Sequence, residues 1–187
     1  MTAPSFDQRL FAVAEALQCA ALGLSGWDRA LGVLAHATGA KSGELVGLGR
    51  TPFQVITEIS DEEMADFTAA NGHDPAVSSR VRAGMRAPLL QLLDEADFDT
   101  VGDTRRSLAY GDVISRLDIP FAQIVILHRS PEVTLGLSIL RTARSGGMPG
   151  EEKRLLAAAA GQPTTEHVEC HRRRLGMSAL GRERTVA

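Results

Sequence analysis

The residues best suited to chemistry lie in a short polar run, His167-Val168-Glu169-Cys170-His171. On a helix, His167 and His171 share one face at i and i+4 and could hold one metal ion between them. Cys170, three residues from His167, flanks the same face. A tetrahedral site needs a third protein ligand, and no second cluster supplies one, so an exposed polar helix face explains the run more simply. No metal and no cofactor is therefore assigned. Cys19 falls near an apolar stripe and fits a small buried hydrophobe better than a nucleophile, which would need a lowered pKa and exposure. His73-Asp74 has the makings of a base and its orienting carboxylate, but Asp74 before Pro75 reads as the cap of a short helix. His36 on a helix face and His128 at a strand end read as structural histidines. The basic run Arg172-Arg173-Arg174, with Arg182 and Arg184 beyond, suits either phosphates or a helix C-terminus.

Nucleotide and hydrolase signatures are absent: no G-x-x-x-x-G-K-[ST], no strand-to-helix G-x-G-x-x-G, no G-x-S-x-G and no H-E-x-x-H. Gly47-Leu48-Gly49 belongs to a hairpin turn. Of the 20 basic residues only Lys41 and Lys153 are lysines, a skew that a GC-rich coding sequence explains, so arginine clusters carry little weight as anion sites. One Trp, one Tyr and six Phe leave no stacking platform for single-stranded nucleic acid. The net charge of −3 points to neither a nucleic-acid nor a membrane surface. With 187 residues, 44% of them hydrophobic, the chain can bury a core without disulfides or metals. No stretch reaches the roughly 18 apolar residues of a membrane span and no signal-peptide pattern opens the chain, so a soluble cytoplasmic domain is expected.

The elements that must carry these residues follow from periodicity. Phe6, Leu10, Val13, Leu17, Ala20 and Leu24 form one apolar stripe on a first helix. Trp27 to Thr38 reads as a second helix closed by Gly39. Residues 44–48 and 53–59 read as strands joined around Gly49-Arg50-Thr51-Pro52. Ser60 with Glu63 makes a capping box for a helix running to about Ala70, and Asp74-Pro75 opens another. Residues 85–119 are mixed helix and loop. Residues 122–128 and 133–140 are two strong strands around the Ser130-Pro131-Glu132 turn. A final helix starts near Gly150, is interrupted at Pro163 and runs to about Leu175. The order predicts an α+β fold, an antiparallel sheet flanked by helices, as one domain over 1–176 with a flexible tail at 177–187.

Several stretches resemble one family. Gly26-Trp27-Asp28-Arg29-Ala30-Leu31 through Gly39-Ala40 resembles the opening of the N-terminal sensor domains of LuxR-type helix-turn-helix transcriptional regulators. Asp74-Pro75 with Arg80, Tyr110-Gly111-Asp112, and Leu137 to Arg141 followed by Glu151-Glu152, Leu155-Leu156 and Pro163 are similar to later landmarks of that domain, in the same order. Thr164 departs from the histidine that follows the proline in the family. The resemblance implies a GAF/PAS-like sensor fold with a pocket on one sheet face, roofed by the 60–119 segment. It implies a non-enzymatic regulatory domain of a transcription regulator that binds a small apolar ligand and signals through flanking helices. The residues themselves add a homodimer through the terminal helices. Phe11, Ala14 and Ala21 make the apolar surface of the first helix wider than packing on one sheet requires, and Leu155, Leu156 and Ala157 to Ala160 let another helix approach the last one closely. The two helices packing on each other within a monomer would use the same surfaces. Tyr110 and Arg106 are the candidate polar contacts to that ligand. Twelve residues follow Leu175, too few for a DNA-binding domain, so direct nucleic-acid contact by this chain is not expected, and it reads as the sensor part of a longer regulator or a stand-alone relative. Two other readings stand beside it: a cysteine-dependent enzyme of GAF-type fold using Cys19 or Cys170, and a dimerisation module without a ligand.

Overall fold

The computed structural model describes residues 4–50 and 52–161. The His167–His171 cluster, the Arg172–Arg174 run, the interruption at Pro163 and the 177–187 tail lie outside the described residues. Twelve elements follow in order. They are α1 (Phe6–Ala21), α2 (Trp27–Thr38), β1 (Ser42–Gly49), β2 (Phe53–Ile56), α3 (Asp61–Ala69) and α4 (Ser79–Arg86), then β3 (Leu92–Leu93), α5 (Thr100–Arg106), α6 (Leu108–Arg116), β4 (Phe121–Arg129), β5 (Val133–Arg141) and α7 (Gly150–Ala160). The five strands form one antiparallel sheet in the order β2-β1-β5-β4-β3. The fold is α+β, as the element order predicts.

Period-two alternation assigns each strand residue to one of two layers. Leu45, Val55, Val125, Leu137 and Ile139 face α1, α2 and α7, where Val13, Leu17, Leu31, Leu34, Leu155 and Leu156 complete a first core. Ala122, Ile126 and Leu140 face the opposite way, toward a second core built with Met64 of α3, Tyr110, Val113 and Ile114 of α6, and Leu117 at the end of α6. The α-layer lies close on the sheet because Gly43 lacks a Cβ: one built there would stand 2.5 Å from the Leu31 carbonyl oxygen. Gly39 closes α2 in the left-handed conformation at φ 59°, as its type allows. Arg141 ties the end of β5 to this layer. Its Nη1 donates to the Thr38 carbonyl at 2.8 Å, and Nε and Nη2 donate to the Gly146 and Ser145 carbonyls at 2.9 and 3.0 Å.

Three expectations need correction. Leu24 does not belong to the α1 stripe; α1 ends at Ala21, Gly23 turns the chain at φ 74°, and Leu24 is 74% exposed. The second strand stops at Ile56 rather than Ile59, because Glu58 takes φ 57° and breaks the ladder. Asp74 caps a turn and not a helix: its Oδ1 accepts from the Ala76 N–H at 2.7 Å, and helix resumes only at Ser79. The first and last helices do pack side by side, with Arg9 of α1 ion-paired to Glu151 and Glu152 of α7. That packing is internal. Leu17 is buried at 3% exposure, Leu10 packs against the same core, and Ala159 and Ala160 are buried too. The stripe thus belongs to the monomer's own core.

Candidate functional site

The second layer does not fill its space. Between the sheet and the α3–α6 segment lies a cavity of about 100 Å³. Its floor is the outward row of four strands: Val46, Ile56, Ile124, Ile126, Gly136 and Leu140, with three polar members, Glu44, Gln54 and Ser138. Its roof comes from residues 59–119 and includes Met64 and Phe67 of α3, His73, Ser78, Arg80 of α4, and Tyr110 of α6. Met85, half-exposed, also lines it. The wall is apolar with a few placed polar groups, the usual composition of a small-molecule site.

Local sequence explains why the roof stands off. The helices α3, α4, α5 and α6 are seven to nine residues long, too short to be stable alone, so caps and buried polar ties hold them. Ser60 caps α3: its Oγ accepts from the Glu63 N–H at 3.2 Å while the Glu63 carboxylate accepts from the Ser60 N–H at 2.7 Å. These bonds hold the Glu63 carboxyl below its ordinary pKa. Asp103, fully buried on α5, accepts from the Ser79 N–H at 2.6 Å and from the Ser79 hydroxyl. The same hydroxyl accepts from the Asp99 N–H at 2.9 Å, locking α4 to α5. Arg80, at 7% exposure, donates from Nε to Thr100 at 3.0 Å and from Nη2 to the Ile119 and Pro120 carbonyls at 2.9 and 2.7 Å. It thereby straps α4 to the start of β4. Burial lowers its pKa from the ordinary value, opposed by surrounding negative groups.

Of the two expected ligand contacts, the structure separates one from the other. Tyr110 lines the cavity, fully buried, with its hydroxyl 3.3 Å from Ser78 Oγ and its ring tilted against Phe67. Arg106 does not line it. Its side chain is 59% exposed and pairs with Asp103 and, at 3.8 Å, with Asp99, so it braces the α4–α5 junction from outside.

Glu44, which the sequence did not single out, and His73 complete the site. Glu44 sits opposite Ser138 and diagonal to Gln54 across the ladder. One carboxylate oxygen accepts from Gln54 Nε2 and the other from Ser138 Oγ. The signal was present in the alternation: Glu44 shares its face with Val46 and Leu48, where a carboxylate is out of place. His73 stands against Phe67 edge-to-face at 5.0 Å, and its buried Nε2 has no hydrogen-bond partner. Burial lowers the His73 pKa, and the nearby Glu44 carboxylate pulls it the other way. The Asp74 carboxylate caps backbone, as expected in preference to a pairing with His73, though the element it caps is a turn. Cys19 is a half-buried free thiol on α1. Among the described residues no three His, Cys, Asp or Glu side chains gather as a metal site, and no helix is long and apolar enough to cross a membrane.

No family model matches the sequence, and no curated protein matches it. Among solved structures the fold is similar to that of CepR2 from Burkholderia cenocepacia, an N-acylhomoserine lactone dependent LuxR family transcription factor. The likeness has a TM-score of 0.56 at 14% identity and covers 94% of this chain and 95% of that one. At that identity the likeness speaks for the fold alone.

Proposed function

We propose that the chain is the GAF/PAS-like sensor domain of a LuxR-type transcription regulator, non-enzymatic and cytoplasmic, that binds a small, largely apolar molecule between its sheet and the α3–α6 roof. The observation that carries this reading is the apolar cavity itself, with its few buried polar groups, on the sheet face that the resemblance implies. The similarity to CepR2, whose description makes it dependent on a lactone ligand, supports the same class. Tyr110 contributes a polar contact, and the short capped helices of the roof are the part that ligand would order. Native mass spectrometry of the purified protein tests the reading: an adduct of a few hundred daltons, lost when Gly136→Leu fills the cavity, is expected. Unliganded protein that also fails to gain stability from any member of a small-molecule panel would refute it.

For assembly we propose a homodimer whose contact lies on the outer face of the first helix and its end. Phe11 and Leu24 support this, because they are 70% and 74% exposed and Leu22 beside them is 47% exposed. Light scattering should give twice the 19.9 kDa chain mass, and Phe11→Asp should halve it without unfolding. A wild-type monomer at tens of micromolar would rule the dimer out.

A further inference from the structure

We propose that Glu44 selects the ligand, and that the molecule the cavity takes is a small apolar body carrying a protonated amine, received between Glu44 on the floor and His73 on the roof. This rests on the reading of the cavity as a ligand site and adds the chemistry of the head group.

A carboxylate on an otherwise aliphatic floor costs free energy that Leu or Val there would not. Glu44 is held by two neutral donors, Gln54 and Ser138, themselves each 2% exposed. Those two bonds occupy about half of the acceptor sites that a carboxylate offers. Among the described residues no Lys or Arg stands within ion-pair distance of it. The cation in the same wall, Arg80, spends its bonds on Thr100 and two backbone carbonyls and does not reach Glu44. The floor therefore presents a negative group that is oriented, half-satisfied and touched directly by no cation among the described residues, although Arg80 in the same wall feels its charge.

His73 completes the pair. Its buried Nε2 lacks a partner, and desolvation favours the neutral imidazole, which can accept a hydrogen bond at that nitrogen. The two groups line the same cavity and share no hydrogen bond, so a donor held in that cavity would serve both. An ammonium has three N–H donors and brings a positive charge into direct contact with the carboxylate. A hydroxyl satisfies the hydrogen bonds without the charge. A carboxylate would meet like charge in a low-dielectric space and be rejected.

The test is isothermal titration of the wild-type chain near neutral pH with three probes of one body: octylammonium, 1-octanol and octanoate. The expected order is octylammonium tightest and octanoate weakest. Glu44→Gln, which keeps the shape and both neighbours, should lower octylammonium affinity by roughly tenfold, the worth of one charge-assisted hydrogen bond, and leave 1-octanol within about threefold. Octanoate binding as tightly as octylammonium, or an unchanged preference in Glu44→Gln, overturns the role of Glu44 while leaving the cavity a ligand site. No binding of any probe to the wild type overturns the ligand site itself. If Glu44→Gln does not fold, the wild-type ranking alone decides.

Discussion

Gly136 offers a perturbation in which stability and binding should move in opposite directions. It lies in the middle of β5, between Val46 of β1 and Ile126 of β4, and lines the cavity. A Cβ built on it would stand 3.5 Å from Val46 Cγ1 and 3.7 Å from Ile126 Cδ1, ordinary contact distances. Nothing in the fold requires glycine there. Gly136→Ala removes unfolded-state entropy and should stabilise the chain by about 0.5–1 kcal/mol, raising Tm by about 1–4 °C in a protein of this size. The new methyl enters the cavity and displaces ligand volume. In the wild type, 1-octanol at a hundred times its Kd should add about 2.7 kcal/mol; in the variant that increment should shrink sharply. Thermal melts of both proteins with and without 1-octanol measure both effects. A lower Tm for the free variant would show that glycine is needed by the backbone. A higher Tm with an undiminished ligand increment would show that the ligand sits elsewhere.

Three further outcomes follow from the same geometry. Ser60→Ala removes the side-chain half of the α3 capping box, the bond from the Glu63 N–H to the Ser60 hydroxyl, and keeps the backbone half; it should cost about 1 kcal/mol in urea unfolding, with hydrogen exchange accelerating first at residues 61–69. Asp103→Ala leaves the Ser79 N–H and hydroxyl donors without their acceptor at a buried junction and should cost about 3 kcal/mol, whereas Arg106→Ala, at an exposed partner, should cost under about 1 kcal/mol; equal costs would contradict the role of Asp103 in tying α4 to α5. Because burial holds the His73 pKa below 6.5, the unfolded chain takes up its proton first as pH falls. Stability from this group is thus present above pH 6.5 and lost below it, and His73→Phe should flatten that part of the stability–pH curve measured by urea midpoints.

The fold was legible in the sequence where one physical signal dominated. Alternation in residues 122–128 and 133–140 marked the central strands, Ser60 with Glu63 marked the start of α3, and Gly39 marked the end of α2. The sequence misled where backbone conformation or tertiary burial decided the outcome. A positive φ at Glu58 shortened β2. Asp74 capped a turn because the following residues do not continue as helix. The apolar surface of α1 looked surplus until α7 and α2 covered it, leaving Phe11 uncovered. The α3–α6 roof was opaque because its helices are too short for a periodic stripe and are held by side-chain ties such as Asp103–Ser79, whose members are 24 residues apart. The site was half-legible for the same reason. Tyr110 could be placed by motif order, while Glu44 and His73 come to line one cavity only through the sheet register and a turn.

The central claim, that a small molecule occupies the space over the Glu44 face of the sheet, is tested most directly by methyl NMR. In a chain labelled at Ile, Leu and Val methyls, titration with octylammonium should shift Ile56, Ile124, Ile126 and Val46, which line the cavity. Leu31, Leu155 and Val13 in the other core should stay in place. Shifts confined to the α1–α2–α7 core, or none at all at saturating probe, would contradict it.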